Sequence, residues 1–121
     1  MQRLDLQQNA ITDIGPLAGL TDLLVLELQD NSITSLSPLS GLPALFFLDV
    51  DGNSISDLEP LRGLTTPEGI EASNNSISSL EPLRALTGLD GFEATDNSIR
   101  EVEPSMGSKL KSSWRAGSSA P

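Results

Sequence analysis

Asparagine returns in this chain with a fixed step: Asn9, Asn31, Asn53, Asn75 and Asn97 each lie 22 residues after the last. Proline keeps the same step at Pro16, Pro38, Pro60, Pro82 and Pro104, and isoleucine at Ile11, Ile33, Ile55, Ile77 and Ile99. A fourth column reads Ile14, Leu36, Leu58, Leu80 and Val102, and a fifth holds Leu20, Leu42, Leu64 and Leu86. No insertion breaks the phase over residues 1–104. A period of this length predicts a solenoid, in which each unit buries its apolar side only against its neighbours.

The second repeat shows what each unit becomes. Around Leu26 and Leu28, apolar residues alternate with Val25, Glu27 and Gln29, the period of a short, half-buried strand. Parallel stacking of one strand per repeat, roughly 4.8 Å apart, gives a five-stranded sheet about 19 Å wide. The Pro-Leu-x-x-Leu half cannot extend that sheet, because proline donates no ladder hydrogen bond. It fits a 3₁₀ or short helical turn on the opposite side. Stacked coils this thin also account for a chain with 21 leucines but only four aromatic residues.

Leu23, Leu26, Leu28, Asn31 and Ile33 fit the pattern L-x-x-L-x-L-x-x-N-x-L, and on these residues the chain resembles the leucine-rich repeat proteins. The unit closes with Ile33-x-x-Leu36-x-Pro38-Leu39-x-x-Leu42, which is similar to the bacterial internalins. Phosphatase-regulating repeat proteins of eukaryotes share the unit length. The expected fold is therefore an α/β leucine-rich repeat solenoid, with a short parallel sheet on the concave face and 3₁₀ or short helical turns on the convex face. The expected repeats are 1–22, 23–44, 45–66, 67–88 and a partial 89–104. Residues 105–121 form a Ser-rich basic tail, expected to be disordered or to fold back through Leu110 and Trp114 over the end of the solenoid.

The asparagine column, Asn9, Asn31, Asn53, Asn75 and Asn97, reads as structural: an amide offers donors and an acceptor to the inward-facing backbone groups where each strand turns. The later repeats look decayed. Pro67 stands in the Leu23/Leu45 column, Gly69 and Gly91 replace strand residues, and Ala72 and Ala94 stand where Leu28 does, with Phe92 available to fill volume. Looser C-terminal coils are expected, since each Leu-to-Ala exchange costs about 2–5 kcal/mol without repacking.

Charge narrows the function classes. Residues 1–104 carry four arginines against all 17 acids, a net of −13, while the tail carries +3. Such a surface argues against nucleic acid and anionic membrane as partners. With no His and no Cys, triad catalysis, thiol chemistry and the usual zinc ligands are excluded, and no cofactor is implied. Paired carboxylates can hydrolyse glycosides, but a row on an open sheet lacks the pocket that raises an acid's pKa. No enzyme activity is expected. The sequence shows neither a signal peptide nor an apolar run long enough to span a membrane. The internalin resemblance implies secretion or a cell-surface location. Met1 opens at a repeat boundary, so uncapped ends expose sheet edges suited to end-to-end self-association.

Strand positions that face away from the core carry the functional expectation. The first outward column runs Arg3, Val25, Phe47, Gly69, Gly91; the second Asp5, Glu27, Asp49, Glu71, Glu93; the third Gln7, Gln29, Asp51, Ser73, Thr95. The resemblance implies that this concave face binds a protein. Five carboxylates in one row, with Asp51 beside Asp49, invite a cation: a Lys/Arg-rich protein face, Ca²⁺ or the chain's own tail. Some of them should titrate above the ordinary value of about 4. The plainer alternative is that the acids only keep the face soluble. Val25 and Phe47 add apolar surface beside the row, with Leu24 and Phe46 next to them in sequence. The partner-binding set is thus Asp5, Val25, Glu27, Phe47, Asp49, Asp51, Glu71 and Glu93, for a cationic or mixed basic and apolar protein. The alternative function is none: an uncapped fragment of a larger repeat protein.

Overall fold

A computed structural model describes residues 2–86 and 88–99. The tail at 105–121 and the end of the fifth repeat lie outside the described residues. Five three-residue strands, β1 (Arg3–Asp5), β2 (Val25–Glu27), β3 (Phe47–Asp49), β4 (Gly69–Glu71) and β5 (Gly91–Glu93), form one parallel sheet in sequential order. Four 3₁₀ turns alternate with them, at Gly15–Gly19, Ser37–Gly41, Glu59–Leu61 and Glu81–Leu83. This is a leucine-rich repeat solenoid with its sheet on one side and its turns on the other.

The register is 22 residues at every step, so Val25 lies beside Arg3 and Phe47, and Asp49 beside Glu27 and Glu71. Backbone bonding continues past each strand: the Leu28 N–H donates to Asp49 O and the Asp30 N–H to Asp51 O, both at 2.8 Å. Each 3₁₀ turn carries proline in its first two positions, where a missing N–H costs nothing. The turn is then held by the next leucine, as in Leu39 N–H to Leu36 O at 2.9 Å. The core is one continuous column of side chains, with Leu23, Leu26, Leu28, Leu48 and Ile55 fully buried.

At the corner after each strand the inward carbonyls meet an asparagine. The Asn53 Nδ2 donates to Leu28 O and Val50 O at 3.0 Å and to Asp51 O at 3.2 Å, while its Oδ1 accepts the Ile33 N–H at 3.0 Å. Asn31, Asn75 and Asn97 bond in the same way to their own coil and the preceding one. Asn9, with no coil before it among the described residues, is exposed and reaches only Leu6 O and Gln7 O.

One residue ahead of each asparagine the backbone turns left-handed: Gln8, Asp30, Gly52, Asn74 and Asp96 have φ of 58°, 61°, 70°, 56° and 55°. Asp and Asn tolerate this region by local hydrogen bonding. At Gly52 a Cβ would lie 2.5 Å from the Asp30 Oδ1, so a larger residue there would turn the Asp30 side chain aside.

Among the described residues the first coil is the least buried: Leu4, Leu6, Ile11 and Leu20 are only partly covered, whereas Ile70, Ala72, Leu83 and Phe92 show 1% exposure or less. The first coil has a neighbour on one side only among the described residues, and further along the bulk of Phe92 offsets the small Ala72 and Ala94.

Candidate functional site

The outward face of the sheet is short, so three residues per strand and the two that follow make up its surface. β1 and β2 place Arg3 against the Glu27 carboxylate in an ion pair. Asp5 accepts from the Gln7 side chain at 3.0 Å and from the Gln7 N–H at 3.1 Å. Those bonds, the side-chain one foremost, hold the Asp5 carboxyl below its ordinary value. The first two carboxylates of the row are therefore matched locally.

The next ones are not. Asp49 is only 8% exposed, accepts the Asp51 N–H at 3.0 Å, and makes no ion pair among the described residues. Asp51 accepts the Ser73 N–H at 2.6 Å. Oxygens of Asp49, Asp51 and Glu71 all lie within 4.8 Å of one another. Burial, with the neighbouring carboxylates adding to it, pushes Asp49 up to about 6 and Glu71 up to about 7. Burial also raises Asp51, against the opposing pull of the Ser73 N–H. Like charge across the ladder therefore contributes, but burial is the larger cause.

The five carboxylates of the row therefore sit in different surroundings. Asp49 is enclosed and serves as an acceptor within the face rather than as a contact on it. The Asp51 carboxylate beside Glu71 favours the form of Glu71 that holds its proton. One proton shared within the cluster relieves the repulsion among its carboxylates. The described arginines are all engaged elsewhere: Arg3 by Glu27, Arg62 by Glu59 at 2.6 Å and by Glu81 on the next coil, and Arg84 by Glu81 at 3.3 Å.

The apolar part of the face also differs from the outward column read from alternation. Phe47 is half-buried, and its ring covers the backbone of Gly69, where a Cβ would stand 2.9 Å from the Phe47 Cδ1. Gly69 is thus the space that Phe47 occupies. Val25 is also half-buried, while the exposed large apolar side chains are Leu24 and Phe46, one residue ahead of their strands. Both line a groove of about 680 Å³ along the strand-entry edge, with Val25, Ala44 and Glu68. Alternation noted Leu24 and Phe46 only as neighbours of the outward column, because they sit where the chain has not yet become a strand. Their signal was a doubled apolar pair, Leu23-Leu24 and Leu45-Phe46, of which the core can take only one.

A leucine-rich repeat family model matches residues 1–55. The structure superposes on internalin C2 of Listeria monocytogenes with a TM-score of 0.87 and 37% identity, over 96% of this chain and 51% of that one. Internalin F of the same organism gives a TM-score of 0.70 at 26% identity, over 84% and 37%. A leucine-rich repeat protein of Leptospira interrogans gives 0.81 at 27%, over 87% and 28%. The chain spans about half the length of internalin C2 and less of the others. A search of curated proteins finds no match. Leucine-rich repeats typically mediate protein–protein interaction, and internalin-like proteins are generally non-enzymatic binding modules. The chain is a leucine-rich repeat protein that resembles the bacterial internalins.

Proposed function

We propose that the chain is a non-enzymatic module whose sheet face binds a protein surface carrying both basic and apolar residues. The observation that supports this most is the cluster of Asp49, Asp51 and Glu71, carboxylates without a cationic partner among the described residues, on the same face as an apolar groove at its edge. Asp51, Glu71 and Glu93 supply the accessible charge, and Asp49 adds field from beneath. Leu24, Phe46 and Phe47 supply the apolar contact, while Asp5 and Glu27 are already matched and contribute less. From Phe46 to Asp49 the backbone advances about 10 Å, so a basic and an apolar group roughly that far apart on the partner would meet both features.

Capture on the immobilised full chain tests this reading. The ligands are a synthetic peptide interleaving Arg or Lys with Trp and Leu, and its Gln-substituted neutral counterpart. The cationic peptide should bind and the neutral one should not. Binding should weaken as salt rises from about 0.1 M to 1 M, where the screening length falls from about 10 Å to 3 Å. Equal capture of both peptides, unchanged by salt, would contradict it.

A further inference from the structure

Leu24 and Phe46 are the large apolar side chains left open to solvent among the described residues, and they line the same groove. An apolar patch rimmed by charge marks a docking surface. Its volume, about 680 Å³, is that of a site for a few bulky side chains.

The chain itself contains a segment of matching chemistry. Residues 105–121 hold no acid at all, and they interleave Lys109, Lys111 and Arg115 with Leu110 and Trp114. The described arginines are already engaged by Glu27, Glu59 and Glu81, which leaves Lys109, Lys111 and Arg115, with Arg100 ahead of them in sequence, for the Asp51–Glu71 side of the face. Reach is ample: fifteen residues separate Ile99 from Trp114, enough for about 50 Å if extended. The groove extends to Gly88, on the turn leading into β5, and coils lie only about 5 Å apart. A tether this short holds its end near the groove at millimolar effective concentration.

We propose that residues 105–121 dock in this groove, with Leu110 and Trp114 against Leu24 and Phe46 and the three cations toward the neighbouring carboxylates. The tail then competes with an outside partner for the same face. The idea rests on the reading of that face given above, with an internal occupant in place of an external one.

Trp114 is the sole Trp of the chain, which has no Tyr, so its fluorescence reports the tail alone. In the intact protein its emission should be blue-shifted, shielded from acrylamide and unchanged on dilution. In the Leu24→Ser/Phe46→Ser variant it should shift to the red and lose its shielding, with far-UV circular dichroism unchanged. High salt should produce part of that shift. In a separate variant, Trp114→Ala should tighten binding of the cationic peptide about tenfold or more by removing the competitor. Water-like emission in the intact chain would overturn the proposal. So would a shielded Trp114 that ignores Leu24→Ser/Phe46→Ser, which would place the tail elsewhere, the last coil included. A blue shift that vanishes on dilution would assign the groove to a second copy instead. The fluorescence needs no added ligand, so failure of the tail and failure of peptide capture are separate results.

Discussion

Asn53 shows how much one side chain carries in a coil without sheet on its inner side. Its amide serves three carbonyls and one N–H across two coils, three of these four bonds in the buried interior. Replacing it with alanine strands the Ile33 N–H and at least two carbonyls at about 1–3 kcal/mol each, so Asn53→Ala should cost about 3 kcal/mol or more. Asn9→Ala, at an exposed corner with two contacts, should cost under about 1 kcal/mol. Urea denaturation of the two variants measures the contrast. Gly69 offers a second residue-scale test, because a methyl group there must displace the Phe47 ring. Gly69→Ala should destabilise by about 1 kcal/mol alone and by nothing measurable alongside Phe47→Ala, a coupling that a double-mutant cycle reads directly.

The sheet face acts as an element, and its titration is shared. Asp49 and Glu71 have folded-state values raised to about 6 and about 7, above ordinary values of 3.8 and 4.5. A raised carboxyl contributes stability that is fully present below its unfolded value and lost as pH rises through its folded value. Thermal stability should therefore be higher near pH 5 than near pH 8. Asp5, Glu59 and Glu81 are lowered and act the other way, losing their contribution as pH falls below the ordinary carboxylate range. A maximum between about pH 4 and 6 follows, and Asp49→Asn with Glu71→Gln should flatten its alkaline side. Melting curves across pH, wild type against that double variant, check the sign.

Strand position and register were legible in the columns, because a 22-residue phase without gaps allows only one stacking. The outward row of carboxylates followed from the same alternation. Its inequality did not, because whether Asp49 is enclosed depends on how Asp51 folds back over it, and no pattern of types encodes that. The left-handed column was visible as Asp30, Gly52, Asn74 and Asp96, types that share tolerance of positive φ, but Gln8 hides it. Gly69 read as a defect in one strand because its purpose belongs to Phe47 on the strand before it.

At the scale of the molecule, a solenoid is stable only as far as its coils have neighbours. The first coil is covered on one side, and the amides of Leu6 and Gln8 bond to Glu27 O and Gln29 O at that margin. Hydrogen exchange there should run at least about tenfold faster than at Val50 and Gly52, a gap of about 1.4 kcal/mol in opening free energy. Those two central amides bond at equal lengths, 2.8 and 2.9 Å, so the difference reports coil position rather than bond quality.

Function at this scale reduces to which side of the solenoid a partner covers. The sheet side presents Asp49, Asp51 and Glu71, without an ion-pair partner among the described residues, beside exposed Leu24 and Phe46, whereas the described arginines of the turn side are paired with glutamates. Amide chemical-shift mapping of the labelled full chain with the cationic, apolar peptide decides it most directly. Shifts concentrated at Leu24–Gln29, Phe46–Asp51 and Glu71–Ser73, stronger at pH 8 than at pH 5, are the expected result. Shifts confined to the 3₁₀ turns, or none under low-salt conditions, would contradict it.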